Sequence, residues 1–230
     1  MSFTPELYVS IDDKPEKNRH ISTQGGTLPN QVFMHFDKEN ARKRLAKQNP
    51  YWLDWFFAHE AAHLFQQDKV GSLAGDDAAA WIHDGGADAM AALALAGRGS
   101  AELTYTLNRE REAETAYAEG LTSYPLDRAT AEGNFDLHYQ CGLIIWLALD
   151  QDLRRSGHEG MHSLNRAFFA AVREGEPWTE SVFLQVVDEQ EVSQSLLTQI
   201  MRLSHGGYAD AAGAVESIGQ LARHSLETQE

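Results

Sequence analysis

The sequence predicts a predominantly helical α+β protein, with a small antiparallel sheet at the N-terminus and a helical lobe after it. Three observations carry that expectation. Residues 7–11 and 32–36 are short runs rich in β-branched and aromatic side chains, separated by turn signals. From residue 49 onward, apolar residues recur at helical spacing in segments bounded by caps, prolines and glycines. At 230 residues the chain is long enough to bury one sizeable core. A single domain over 1–230 is therefore expected, with a β-rich lobe over 1–48 and a helical lobe over 49–230.

Leu7 to Ile11 and Val32 to Phe36 read as strands, with turns expected at Asp12-Asp13-Lys14-Pro15, Gly25-Gly26 and Pro29-Asn30. Asp37 to Lys47 reads as a charged helical connector. The central helix is expected from Asn49-Pro50 to Gln67, because Asn caps well and Pro suits the first helical position. Tyr51, Trp52, Leu53, Trp55, Phe56, Phe57, Leu64 and Phe65 make it apolar on nearly every side, which marks a buried helix. A break is expected over 68–72, then a second helix from Asp76 or Trp81 to Leu95, closed by Gly97. Gly85 and Gly86 inside it cost about 1 kcal/mol each relative to Ala. Either a close approach to another backbone or ligand, or a helix that starts later, accounts for them. Further helices are expected over 107–121, 135–153, 164–172, 179–188 with Thr179 as cap, 191–203 and, more weakly, 208–226. Tyr124-Pro125 interrupts the first two, and 130–134 reads as a polar loop.

Nineteen Lys and Arg against thirty-four Asp and Glu give a formal charge of −15, which disfavours nucleic acid and anionic membrane as partners. The lone Cys141 excludes an internal disulfide and any Cys-rich zinc module, and reads as a small buried residue. The N-terminal residues carry no signal-peptide pattern, and the longest apolar run, Leu143 to Leu149, is far short of a bilayer span. A soluble, cytoplasmic protein is the default expectation.

The chemistry concentrates on His59-Glu60-Ala61-Ala62-His63 in the central helix. Two histidines four apart on a helix put their rings one turn apart on one face, where they can share a metal. Glu60 then sits beside the metal, where a metallohydrolase places its general base. A catalytic zinc site needs a third protein ligand and keeps an open position for water. Asp84 is the candidate, with His83 as competitor pointing about a quarter-turn away. Asp88, one turn further on, can accept a hydrogen bond from the far ring nitrogen of a ligating histidine. A capping Asp84 and a solvated Asp88 remain the plainer alternatives. His158-Glu159-Gly160-Met161-His162 matches the same short pattern, but it contains a glycine and lies between two helices, so it reads as a loop with surface histidines. Trp52, Trp55 and Trp146 read as core aromatics. His138 reads as a neighbour of the site or as exposed.

Taken together, His59 to His63 and Trp81-Ile82-His83-Asp84-Gly85-Gly86-Ala87-Asp88 resemble the catalytic signature of gluzincin metallopeptidases, above all the aminopeptidase N family. Tyr139-Gln140-Cys141-Gly142, opening the apolar run Leu143-Ile144-Ile145-Trp146, resembles that family's tyrosine motif. Gly25-Gly26-Thr27-Leu28 lies where its substrate strand falls. The resemblance covers roughly residues 25–190 and implies a thermolysin-like fold and peptide hydrolysis. It further implies one Zn²⁺ held by His59, His63 and Asp84, Glu60 as general base, and Tyr139 as donor to the oxyanion. From the residues alone, Tyr139 is one of seven tyrosines in a core or rim position. Asp84 stands where the family has Glu, with two more residues before it, and the Glu that holds a substrate's amino terminus has no counterpart near Gly25. Exo- and endopeptidase action therefore both stay open. So does an alternative in which a catalytically degenerate scaffold of this kind binds metal and a peptide or protein partner without cleaving it.

Overall fold

The computed structural model describes residues 4–12, 22–37, 41–70, 80–206, 208 and 210–229. These residues form a small three-stranded sheet followed by a helical assembly, as the sequence predicts. The strands are β1 (Glu6–Asp12), β2 (Ser22–Leu28) and β3 (Gln31–Asp37), in the spatial order β1-β3-β2. The sheet is mixed rather than antiparallel. β3 inserts between β1 and β2, so it pairs parallel to β1 (Val9 with Met34) and antiparallel to β2 (Gly25 with Met34). Gly25 and Gly26 lie inside β2, not in a turn. The turn is two residues long, Pro29-Asn30, with Asn30 in the left-handed region at φ 63°, which Asn tolerates better than most side chains. The turn expected at 13–15 lies outside the described residues.

β3 alternates strictly. Val32, Met34 and Phe36 are buried, facing Leu64 and the rings of Trp52 and Phe56 on the next long helix. Phe36 meets Phe56 edge-on at 6.1 Å, a favoured aromatic geometry. A short helix, α1 (Ala41–Leu45), leads into α2 (Pro50–Val70), whose first turn is held by Asn49 accepting from the Tyr51 N–H at 3.0 Å. α2 runs three residues past the end expected at Gln67, and the remainder of the expected break, 71–72, lies outside the described residues, as does Asp76.

α3 (Ala80–Ala96) starts near the later of the two expected positions, and both glycines are nevertheless inside it. α4 (Ser100–Leu121) begins two turns before the expected Leu107, because Ser100, Thr104 and Thr106 are helical despite their polar character. A 3-10 turn at Leu126–Arg128 follows Pro125. α5 (Asp136–Arg155) is the hub: Leu137, Cys141, Ile144, Ile145, Leu147 and Leu149 are wholly shielded from solvent. It packs against α3, α4 and α9 (Ala211–Glu227). Between lie α6 (Met161–Glu174), α7 (Glu180–Glu189, capped by Thr179) and α8 (Gln194–His205). α9, expected to be weak, is capped by Asp210 accepting from the Gly213 N–H, and it buries Val215, Ile218 and Ala222. Among the described residues no helix is long and apolar enough to cross a membrane.

Candidate metal centre

Helical spacing puts His59 and His63 on one face of α2, and the fold buries that face: both residues are under a tenth exposed. Their rings lie 4.6 Å apart, nearly perpendicular, with the two Nε2 atoms 3.0 Å from each other. The opposite ring nitrogens are each held. His59 Nδ1 lies 2.8 Å from Asp88 Oδ1, and His63 Nδ1 lies 2.9 Å from Gln66 Oε1. Gln66 cannot be turned the other way round without loss, because its Nε2 donates to the His83 carbonyl at 3.0 Å.

These contacts determine the tautomers. A carboxylate and an amide oxygen only accept, so each imidazole carries its proton on Nδ1. Two Nε2 lone pairs then face one another at 3.0 Å, an arrangement that needs a proton or a cation between them. Asp84 offers a third donor atom, its Oδ1 lying 3.6 Å from His63 Nε2. All three ligand atoms lie within 4.8 Å of one another, so the buried group His59, His63 and Asp84 can hold a metal ion. Tetrahedral bonds of about 2.0–2.2 Å place neighbouring ligand atoms about 3.3–3.6 Å apart; the His63–Asp84 separation of 3.6 Å meets that range and the His59–His63 separation of 3.0 Å falls short of it.

Electrostatics treats the two rings differently. Burial, reinforced by the neighbouring His83 and His59, pushes the His63 pKa down and keeps it a neutral ligand. Burial also opposes the charged form of His59, but the Asp88 hydrogen bond and the surrounding carboxylates outweigh it and raise its pKa. Asp84 is held below the usual carboxyl range, because His83, His63 and His59 overcome the cost of burying its charge.

Asp84 reaches the histidines because α3 lies close to its neighbours. A Cβ on Gly85 would sit 2.2 Å from the Gly142 Cα of α5, and one on Gly142 would sit 2.2 Å from the Trp81 carbonyl oxygen. The glycines therefore mark a backbone-to-backbone approach of α3 and α5. Trp146 Nε1 donates to the Ile82 carbonyl at 3.1 Å across the same contact.

Beside the three ligands opens a cleft of about 690 Å³ between β2, α2, α4 and α5. Glu60, Asp88 and Tyr139 line it together with His59. Glu60 is buried, chiefly desolvation raises its pKa, and β2 lies so close that a Cβ on Gly25 would overlap its carboxylate. Tyr139 stacks on His59 at 5.7 Å, and burial with the nearby Asp84 and Asp88 charges holds its hydroxyl well above the ordinary tyrosine range.

The structure thus brings His59, Glu60, His63, Asp84, Asp88 and Tyr139 into one site. His83 does not join the ligand group, since its ring stacks flat on His63 at 4.2 Å. His158 and Glu159 lie in the loop before α6, and His162 is exposed in its first turn, so that copy of the pattern makes no metal cluster among the described residues. His138 is buried and meets Thr130 Oγ1 at 2.9 Å, away from the site. Cys141 is buried in the core as expected.

Two contributors escaped the sequence reading. Trp55 is more than a core aromatic, because its Nε1 donates to the same Asp88 Oδ1 that holds His59, at 2.9 Å. Gln66 fixes the His63 tautomer. Both signals were present as helical spacing: Trp55 stands four residues before His59, and Gln66 three after His63. Comparison with protein-family models and with curated protein sequences finds no match to the chain.

Proposed function

We propose that the protein is a zinc-dependent metallopeptidase with a thermolysin-like, gluzincin plan resembling the catalytic domain of the aminopeptidase N family. The observation that carries this reading is the pair of inward-facing Nε2 lone pairs 3.0 Å apart, backed by Asp88 and Gln66 and joined by the Asp84 carboxylate. Imidazole and carboxylate donors suit zinc. His59, His63 and Asp84 would hold it, and it would supply Lewis acidity that polarises a carbonyl and brings the pKa of a water to about 7.

The remaining chemistry belongs to the chain. Glu60, on the ligand helix and facing the cleft, takes the proton of the attacking water and returns one to the leaving amine. Its contact with Gly25 of β2 keeps the carboxylate at the cleft wall. Tyr139 keeps its hydroxyl protonated and available to donate to the developing oxyanion, a contribution worth about 3–4 kcal/mol in comparable sites. Asp88 holds the His59 ring and Gln66 the His63 ring in the ligating orientation.

The test separates metal from catalysis. Glu60→Gln should retain the zinc content of the wild type while peptide turnover falls at least about 10²-fold. Unchanged turnover in Glu60→Gln would refute the proposed role. Full zinc occupancy without turnover of any peptide by the wild type would favour a binding scaffold over an enzyme.

A further inference from the structure

Resting on the peptidase reading, we infer that Arg109 of α4 is the specificity residue of the cleft and binds a carboxylate of the substrate. Arg109 lines the same cleft as His59, Glu60 and Tyr139. Its guanidinium lies over the Trp55 indole, 5.3 Å from the ring centroid, so a cation–π contact holds it in place. Trp55 in turn bonds Asp88, which bonds His59, so an indole and a carboxylate link the guanidinium to the histidine.

Unlike several other arginines of the protein, Arg109 hydrogen-bonds no acid among the described residues. Arg98, Arg128, Arg154 and Arg166 each hydrogen-bond a carboxylate at 2.5–2.7 Å. Among the described residues the acid paired with Arg109 is Glu112, at 3.7 Å and beyond hydrogen-bond range, and Glu112 is 71% exposed. The Arg109 Nε is buried with no hydrogen-bond partner among the described residues. In a chain of net charge −15, a guanidinium left without a bonded acid in a cleft is poised for an external one. Its planar fork matches a carboxylate bidentately, and the contact with Trp55 leaves it less rotamer freedom to lose.

That carboxylate has two possible sources, a peptide's C-terminus or an Asp or Glu side chain a residue or two from the scissile bond. The experiment uses Glu60→Gln protein with zinc added, so that peptides are retained rather than cut. Tetrapeptide pools with free or amidated C-termini, and with Asp and Glu or Asn and Gln inside, are passed over the immobilised protein, and retained peptides are identified by mass spectrometry. Acid-bearing peptides should be enriched about tenfold or more over their amide counterparts. The enrichment should vanish in the added change Arg109→Met, which keeps the stem against Trp55, and survive in part in Arg109→Lys. Whichever pair shows the enrichment identifies the source. Equal retention of acids and amides, or enrichment that survives Arg109→Met, overturns the inference. Retention of no peptide overturns both this inference and the peptidase reading. Acid-selective retention lost in Arg109→Met, with no cleavage by wild-type protein, overturns hydrolysis alone.

Discussion

Asp88 shows how much of the site depends on one atom. Its Oδ1 accepts from both Trp55 and His59, and all three residues are buried. Asp88→Ala would strand two N–H groups and free the His59 ring to adopt the other tautomer, so metal affinity should fall about 10–100-fold in a competition titration against a chelator. Gln66→Ala should act likewise through His63. Affinities equal to wild type would show that the ligands hold themselves. The pairing of His59 and His63 was legible in the sequence because a four-residue spacing on a helix leaves little choice of direction. Asp84 and Asp88 were legible by the same spacing on the next helix. Gln66 and Trp55 offered only their helical spacing from His63 and His59, and the roles of Trp55 and Arg109 depend on which atom of a distant residue lies opposite. A buried aromatic reads as core until its indole N–H is seen to meet a carboxylate.

The crossing of α3 and α5 sets the position of Asp84. An alanine in place of Gly142 favours the helix by about 1 kcal/mol. Its Cβ, however, would lie 2.2 Å from the Trp81 carbonyl oxygen, a backbone atom that no rotamer change can move aside. The clash should win, with Gly142→Ala losing at least about 2 kcal/mol in urea denaturation and weakening metal binding as α3 shifts outward. A stabilised Gly142→Ala would mean the helices are not in contact there. Helix existence was readable from apolar periodicity and caps, most clearly for α2, α5 and α7. The start of α4 was not, because Thr104 and Thr106 return their hydroxyls to the Ser100 and Glu102 carbonyls one turn back and stay helical against their usual preference. β2 escaped because its two glycines imitate a turn, whereas at Gly25 the strand needs the absent side chain to lie against Glu60. Strand order was beyond local pattern altogether: nothing in β1 announces that β3 slots between it and β2.

The packing of α4 on α9 makes the stability of the whole molecule depend on pH. Glu110 is fully buried, and Arg223 of α9 donates to it at 3.1 Å and also meets Glu114. Burial raises the Glu110 pKa from 4.5 to about 7, with Arg223 opposing and Glu114 assisting. Between those two values the folded protein holds a proton that the unfolded chain has released, so this group's contribution to stability falls as pH rises from about 4.5 to 7. Denaturation curves across that range should show wild type losing stability relative to Glu110→Gln, and a constant difference would refute the assignment. The proposed zinc centre rests on the group of His59, His63 and Asp84, and X-ray absorption at the zinc edge of protein loaded with one equivalent of zinc tests it directly. The expected spectrum has two imidazole nitrogens and carboxylate oxygen at about 2.0–2.2 Å, with one imidazole lost in His63→Ala and the carboxylate lost in Asp84→Ala. Zinc that fails to bind, or a spectrum unchanged by either substitution, would contradict a centre built from His59, His63 and Asp84.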